Sequence, residues 1–202
     1  QKMIGMMYLV LTALLALNVS KEILNAFVIV NTGLQKTNAN FASKNDITYN
    51  AFDLALLNDE VKVRKYWDKA NAARKASKAL FEYIEALKKE LMRKVEDNDT
   101  ISDLAYVNAK DNYDISTHHL VGANAENPTG KAVELKDKVD KYREFMLTLV
   151  DQKDRDNMNL GLKTGEEYSI VEEKKIGWIN NNFYHNPIAA VLTILSKLQN
   201  DV

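Results

Sequence analysis

The sequence predicts an all-α protein in which a single N-terminal transmembrane helix continues into an up-down helical bundle. Three observations carry this expectation. No charged residue occurs from Met3 to Ser20, and eighteen helical residues at about 1.5 Å each cover about 27 Å, close to the hydrocarbon thickness of a bilayer. Glycine (7) and proline (2) are scarce in a chain that is 46% hydrophobic, a composition that favours helix. Apolar residues also recur at three- and four-residue steps through most of the remaining chain. The expected division is 1–21 for the membrane helix and 22–202 for the bundle. Because the first residue is Gln rather than Met, the chain reads as part of a longer one.

Charge and cysteine content narrow the function classes. Lys and Arg total 27 against 28 for Asp and Glu, a net charge of −1, which supplies no basic face for nucleic acid. The absence of cysteine excludes a disulfide framework and any thiolate metal site.

In the first element, Ile4, Leu9, Val10, Leu11, Leu14, Leu15, Leu17 and Val19 each favour membrane insertion by about 0.3–0.6 kcal/mol, offsetting Tyr8, Thr12 and Asn18. A cleaved signal peptide needs small residues before its cut, and Ala16-Leu17-Asn18 fits poorly. Phase argues the same way. Gly5, Tyr8, Thr12, Ala16, Val19, Ile23, Ala26 and Val30 succeed one another at steps of three and four, one stripe running through Lys21-Glu22 without a slip. One helix is therefore expected to leave the membrane and enter the next domain uncut. Within the membrane the stripe is small and polar, which suits close helix approach. The competing reading is that Thr12 bonds its own backbone and Tyr8 marks an interface. Lys2 is placed to snorkel to the headgroups, which puts the N-terminus in the cytoplasm.

Past the membrane, Ile23, Phe27, Val30, Leu34 and Phe41 form an i, i+4, i+7, i+11, i+18 series suited to packing on a partner helix or in the bundle. A break is expected at "LLNDE", where Asn58 or Asp59 caps a new helix with Glu60 in its first turn. Tyr66, Ala70, Ala73, Ser77, Leu80, Ile84, Leu87 and Leu91 then hold a heptad stripe, small in its first half and large in its second. Val95 to Gly130 loses the period and gathers Asp, Asn, Pro and Gly, reading as an excursion with one short helix near Asp103 to Ala109. Leu135, Val139, Tyr142, Met146 and Leu149 restore a helix, with Thr129 as its cap. Asp154 to Lys175 is irregular and leads to a packing anchor around Trp178, with Phe183 also expected in the core. Asn186 is placed to cap Pro187 as the first residue of a last helix carrying Ile188, Val191, Leu195 and Leu198. Antiparallel links between these helices give the up-down arrangement.

Reactive constellations are missing from the sequence. His118 and His119 are adjacent and point apart on a helix, so they read as a solvated loop rather than a metal site with Asp111, Asp114 or His185. Asp151 to Gly161 lacks the spacing of a calcium loop, and Gly122 to Lys131 resembles a phosphate loop only in ending Gly-Lys. No nucleophile–base arrangement is visible. The expectation is a non-enzymatic protein with no metal and no cofactor.

Residues Gln1 to Phe27, with the core "ALNVSKE" (Ala16 to Glu22), resemble the start of the GldM/PorM family of the type IX secretion and gliding machinery. "GKAVELKDKVDKYREFM" (Gly130 to Met146), Trp178, Phe183 and "NPIAAVLTILSKLQNDV" (Asn186 to Val202) extend the resemblance over essentially the whole chain. It implies a bacterial inner-membrane, single-pass subunit with its bulk in the periplasm. It also implies a homodimer, held in a ring of GldL/PorL-type subunits that carry a membrane-embedded glutamate. Proton flow through that ring would turn the dimer as a shaft, passing torque to periplasmic and outer-membrane-associated partners through later domains absent from this chain. On that resemblance Lys2, Gly5, Tyr8, Thr12 and Ala16 become helix-packing or ring-contact positions in the lipid, Tyr8 matching the family's membrane tyrosine. Ile23, Phe27 and Val30 become dimer or bundle packing positions. The family's arginine, which precedes its Gln-Lys pair, falls before Gln1. Two other readings stand beside this one: a sensory receptor's periplasmic bundle, and a static membrane-anchored scaffold.

Overall fold

A computed structural model describes residues 2–155, 160–169 and 173–202, with side chains described at all of these except 2 and 13–20. The first helix, α1 (Lys2–Asn58), is uninterrupted, so the N-terminal stripe and the series that succeeds it lie on one rod. Among the described residues no helix is long and apolar enough to cross a membrane. The side chains of 13–20, which form the second half of the expected span, lie outside the described residues.

Asp59 alone reverses the chain. Its backbone leaves the helical region (φ −149°, ψ 81°), and its carboxylate accepts from the Lys62 N–H at 3.2 Å to cap α2 (Glu60–Glu96). The second helix then runs back along the first. Trp67 Nε1 donates to Asp53 (2.6 Å) and Arg74 to Asp46 (2.9 Å), so numbers fall on one helix as they rise on the other. The Arg74 guanidinium also lies 4.7 Å from the centre of the Tyr49 ring.

The excursion after α2 is more ordered than its composition suggests. A 3-10 turn, Leu104–Tyr106, is capped by Asp103, and Leu104 is buried. A helix that the composition does not predict, α3 (Asp114–Leu120), docks on α2 and carries His118 and His119. The excursion closes at Gly130, where a Cβ would lie 2.4 Å from the Leu120 carbonyl oxygen. Gly130, not Thr129, is the N-cap of α4 (Lys131–Leu149), and no side chain caps it. That helix runs antiparallel to α2, with the Ser77 and Tyr142 hydroxyls 2.8 Å apart and Lys69 bonded to Asp151 at 3.1 Å.

The stretch expected to be irregular contains a short helix, α5 (Gln152–Arg155), and an antiparallel ribbon, β1 (Glu167–Ser169) with β2 (Lys174–Ile176). These lead to α6 (Trp178–Phe183), whose two aromatic ends are buried and meet edge to face at 5.3 Å. The last helix, α7 (Ile188–Asp201), starts one residue later than expected. Pro187 is its N-cap, and Asn186 donates instead to the Asn182 carbonyl.

The direction of α7 corrects the up-down expectation. Thr193 reaches the Phe27 carbonyl (3.3 Å), Ser196 reaches Asn31 (2.7 Å) and Asn200 reaches Asn38 (2.9 Å). Numbers rise together, so α7 lies parallel to α1 and also to α4. The physical cause is the 150–187 connection, which returns the chain to the starting end of α4 before α7 begins. The core lies where α2, α4, α6 and α7 converge, around Ile84, Leu91, Leu135, Phe183, Leu192 and Leu195. Along α2 only the second half of the heptad stripe is buried; Tyr66, at its start, is exposed. There α1 and α2 run on as a hairpin past the end of α7, flanked on α2 by Tyr142 at Ser77 and by Asp151 at Lys69.

Candidate functional site

The long helix has two faces of different character. Leu24, Phe27 and Val28 pack on the core, and Asn31 and Asn38 are buried against α7. An adjoining face carries a heptad series. Its first position falls at Leu9, Ala16, Ile23, Val30, Thr37, Lys44 and Ala51, and its second at Gly5, Thr12, Val19, Ala26, Gly33, Asn40, Ile47 and Leu54. Past the N-terminal stretch most of this face is exposed, Thr37 being half-buried. Ile23 and Val30 are each 52% exposed, Ile47 68% and Leu54 63%. Lys44 is the only charged residue in the series.

Two glycines make this face unusual. Gly5 and Gly33 are the only glycines of α1, and both occupy the second heptad position, four heptads apart. A glycine inside a helix costs about 0.8–1.0 kcal/mol relative to alanine. Neither has a positive φ, and a Cβ added at either would meet nothing within 4 Å. The folded chain therefore gives no reason for glycine at these positions. Glycine leaves room for close backbone approach by another helix.

The residues singled out from sequence divide between the faces. Gly5 and Thr12 lie in the heptad series, and Tyr8 flanks it, strongly exposed. The Thr12 hydroxyl donates to the Tyr8 and Leu9 carbonyls (2.9 and 3.0 Å), within its own helix. Lys2 and Ala16 have side chains outside the described residues. Ile23 and Val30 take no part in bundle packing, being exposed, whereas Phe27 is partly buried against the core. The expected series from Ile23 to Phe41 thus straddles two faces. Its bundle side is Leu24, Phe27, Val28, Asn31 and Asn38, and a hydrophobic count does not find it because asparagines do not register as core. The continuation from Gly33 to Leu54 also escapes the apolar series, although counting sevens onward from Val30 and Gly33 finds it.

Two polar clusters lie inside the bundle. Lys88 is buried and donates to Gln199 (2.9 Å) and Glu85 (3.3 Å). Burial lowers its pKa against the pull of Glu85. Burial also opposes ionisation of Glu85, but Lys88, Gln199 and Lys89 outweigh it and lower that pKa too. His119 Nε2 lies 3.1 Å from the Glu90 carboxylate, close yet poorly aligned for a hydrogen bond. Burial, helped by Lys94 and Lys131 and opposed by Glu90, holds its pKa below the ordinary histidine value. A groove of about 740 Å³ opens where α7 ends between α1 and α2, lined by Asn38, Phe41, Tyr49, Arg74, Phe81 and Gln199 among others. Among the described residues no group of His, Asp and Glu is placed to hold a metal ion.

The described residues thus form a helical domain on a long rod, with an exposed, nearly chargeless heptad face along that rod. The chain belongs to the GldM family: the family model described as the GldM N-terminal domain matches residues 22–202. That family is a component of gliding motility and type IX secretion, associated with the inner membrane. No curated protein matches the chain.

Proposed function

We propose that the chain is the dimeric shaft subunit of an inner-membrane motor driven by the proton motive force, serving type IX secretion and gliding. Residues 1–21 span the membrane with the N-terminus in the cytoplasm, and 22–202 form the first periplasmic domain. Two copies pair along the exposed heptad face of α1 inside a GldL/PorL-type ring. Residues Lys2, Gly5, Tyr8, Thr12 and Ala16 meet the twin helix or the ring in the lipid. Past it, Ile23 and Val30 continue the pairing, while Phe27 seats the helix on its own bundle. The protein has no catalytic chemistry of its own. The titrating carboxylate belongs to the ring, and this chain supplies the surface against which it acts. Torque leaves through domains beyond this one.

The observation that carries the reading is the glycine-bearing heptad face, uncovered in the single chain and continuous with the uncharged N-terminal stretch. A rigid rod suits transmission because α1 has no break before Asn58. The test is purification from native membranes in mild detergent with mass measurement of the intact complex. Two copies of this chain with a larger number of a small two-span membrane protein support the proposal. A lone monomer with no ring contradicts it.

A further inference from the structure

We propose that the end of the bundle nearest the N-terminal stretch is a membrane-contacting surface, on which Tyr113, Tyr184 and His185 meet zwitterionic phospholipid headgroups. This rests on the membrane-spanning reading of residues 1–21 and names what the domain touches where that span ends. Hydrogen bonds fix the level of this end. Along α7, Thr193 reaches the Phe27 carbonyl and Ser196 reaches Asn31, so Ile188, the first residue of α7, stands close to the level of Glu22. Along α2, Trp67 bonds Asp53 and Arg74 bonds Asp46, which brings Glu96, its last residue, close to the level of Leu24. The Glu96 carboxylate accepts from the Asn108 and Ala109 N–H groups at 2.7 and 2.8 Å, and the Lys110 and Asn112 carbonyls accept from Ala189 and Ile188. The end of α2, the start of α7 and the 108–113 loop therefore finish together, just past the uncharged run from Met3 to Ser20.

A bilayer with about 30 Å of hydrocarbon and about 40–45 Å overall leaves about 5–8 Å of headgroup layer on each side. That is about four or five helical residues at about 1.5 Å each. Counted from Ser20, the layer reaches Leu24 or Asn25, so this end of the bundle stands within it without a spacer. Its side chains suit that place. Tyr113 and Tyr184 are 47% and 42% exposed and flank His185, with ring centres 5.5 and 4.2 Å from the imidazole. Tyrosine, apolar in its ring and polar at its tip, collects at membrane interfaces. His185 holds a left-handed backbone (φ 52°), disfavoured for a residue with a side chain, and its N–H donates to the Thr117 hydroxyl at 3.0 Å. The fold thus fixes the aromatic turn in place. Asp97, Asp99 and Asp111 are exposed at the same end, which disfavours anionic lipid. They match the ammonium of a zwitterionic headgroup, to which the tyrosine faces offer a second attraction.

Because the chain contains no cysteine, single fluorophores can be attached through Asp111→Cys at this end, Tyr66→Cys on the distant hairpin and Leu9→Cys in the span. The full chain is reconstituted in phosphatidylethanolamine–phosphatidylcholine liposomes carrying nitroxide on the headgroup or on the acyl chain. Headgroup nitroxide is expected to quench the Asp111→Cys label and leave the Tyr66→Cys label bright. Quenching of Leu9→Cys by acyl-chain nitroxide with none at Asp111→Cys overturns the proposal and leaves the span standing. An unquenched Leu9→Cys label overturns the span, and this inference with it. Adding Tyr113→Ser and Tyr184→Ser is expected to reduce quenching at Asp111→Cys, with an unchanged unfolding midpoint verifying the fold. Undiminished quenching overturns the role of the tyrosines. In the complex with ring protein the Asp111→Cys label is expected to stay quenched, and a bright label there overturns lipid as the occupant of this surface.

Discussion

Asn31 and Asn38 place amides where a hydrophobic count expects aliphatic residues, and each is answered from α7. The Ser196 hydroxyl is fully buried and donates to Asn31 at 2.7 Å, so Asn31→Ala leaves it without that acceptor. The expected loss is about 1–3 kcal/mol in chemical denaturation. Lys88 separates volume from charge. Lys88→Ala opens a cavity and strands Gln199 and Glu85, for an expected loss of about 2–5 kcal/mol. Lys88→Met strands the same two partners but keeps the stem, so it is expected to lose less than Lys88→Ala by the share that packing contributes. Similar losses for the two variants would show that the charge, not the packing, holds α7 to α2. His119 gives a pH dependence of defined sign. Its pKa is lower in the folded state, so as pH falls through about 6.5 the unfolded chain takes up the proton first and stability declines. The decline is complete once pH is below the folded-state value. In urea unfolding at about pH 7.5 and about pH 5.5, His119→Gln is expected to flatten this dependence. Glu85, Glu96 and Asp140 also have lowered pKa values, but their contribution is lost only at lower pH, below the ordinary carboxylate range near 4. None of these three devices is legible in sequence, because each joins residues far apart in the chain.

Among the elements, those with a local signal are the readable ones. Asp59 is succeeded three residues on by the amide it caps, and the Leu80–Leu91 stripe keeps its period without help from the rest of the fold. Trp178 and Phe183 are readable as core for a similar reason: they are large, apolar and close together in the chain. The direction of α7 is not readable, since it depends on how far the 150–187 connection travels. Nor is α3, whose short polar sequence is held by docking on α2 rather than by propensity. On α1 the sequence stripe blends two faces, and only the packing of Leu24 and Val28 on the core separates them. Gly33 tests the exposed face directly. Gly33→Ala is expected to stabilise the helix by about 0.8–1 kcal/mol, since a Cβ there meets nothing in the chain. Gly33→Leu is expected to leave folding intact and weaken association of two chains, read as a shift toward monomer in detergent. A leucine variant that pairs as well as the parent would remove Gly33 from the interface.

For the whole molecule, the family assignment supplies the setting and the uncovered face supplies the mechanism proposed for it. A shaft must be stiff, must hold its twin in fixed register and must present the same surface to its ring in every position. A single rod from the N-terminal stretch to Asn58 meets the first demand, and in the proposed pairing the heptad face of α1 would meet the second. The candidate site is half visible in sequence. Gly5, Thr12, Ala16, Ile23 and Val30 all lie on the heptad face, while Tyr8 flanks it and Phe27 turns to the bundle. The chain contains no cysteine, so disulfide scanning can be done without background. The decisive measurement places single cysteines at successive positions of α1 in membranes and reads oxidative cross-linking between copies. The account predicts maxima at Ile23, Ala26, Val30 and Gly33, with minima at Leu24, Val28 and Asn31 on the bundle side. Cross-links absent at every position, or spread evenly around the helix, would contradict it.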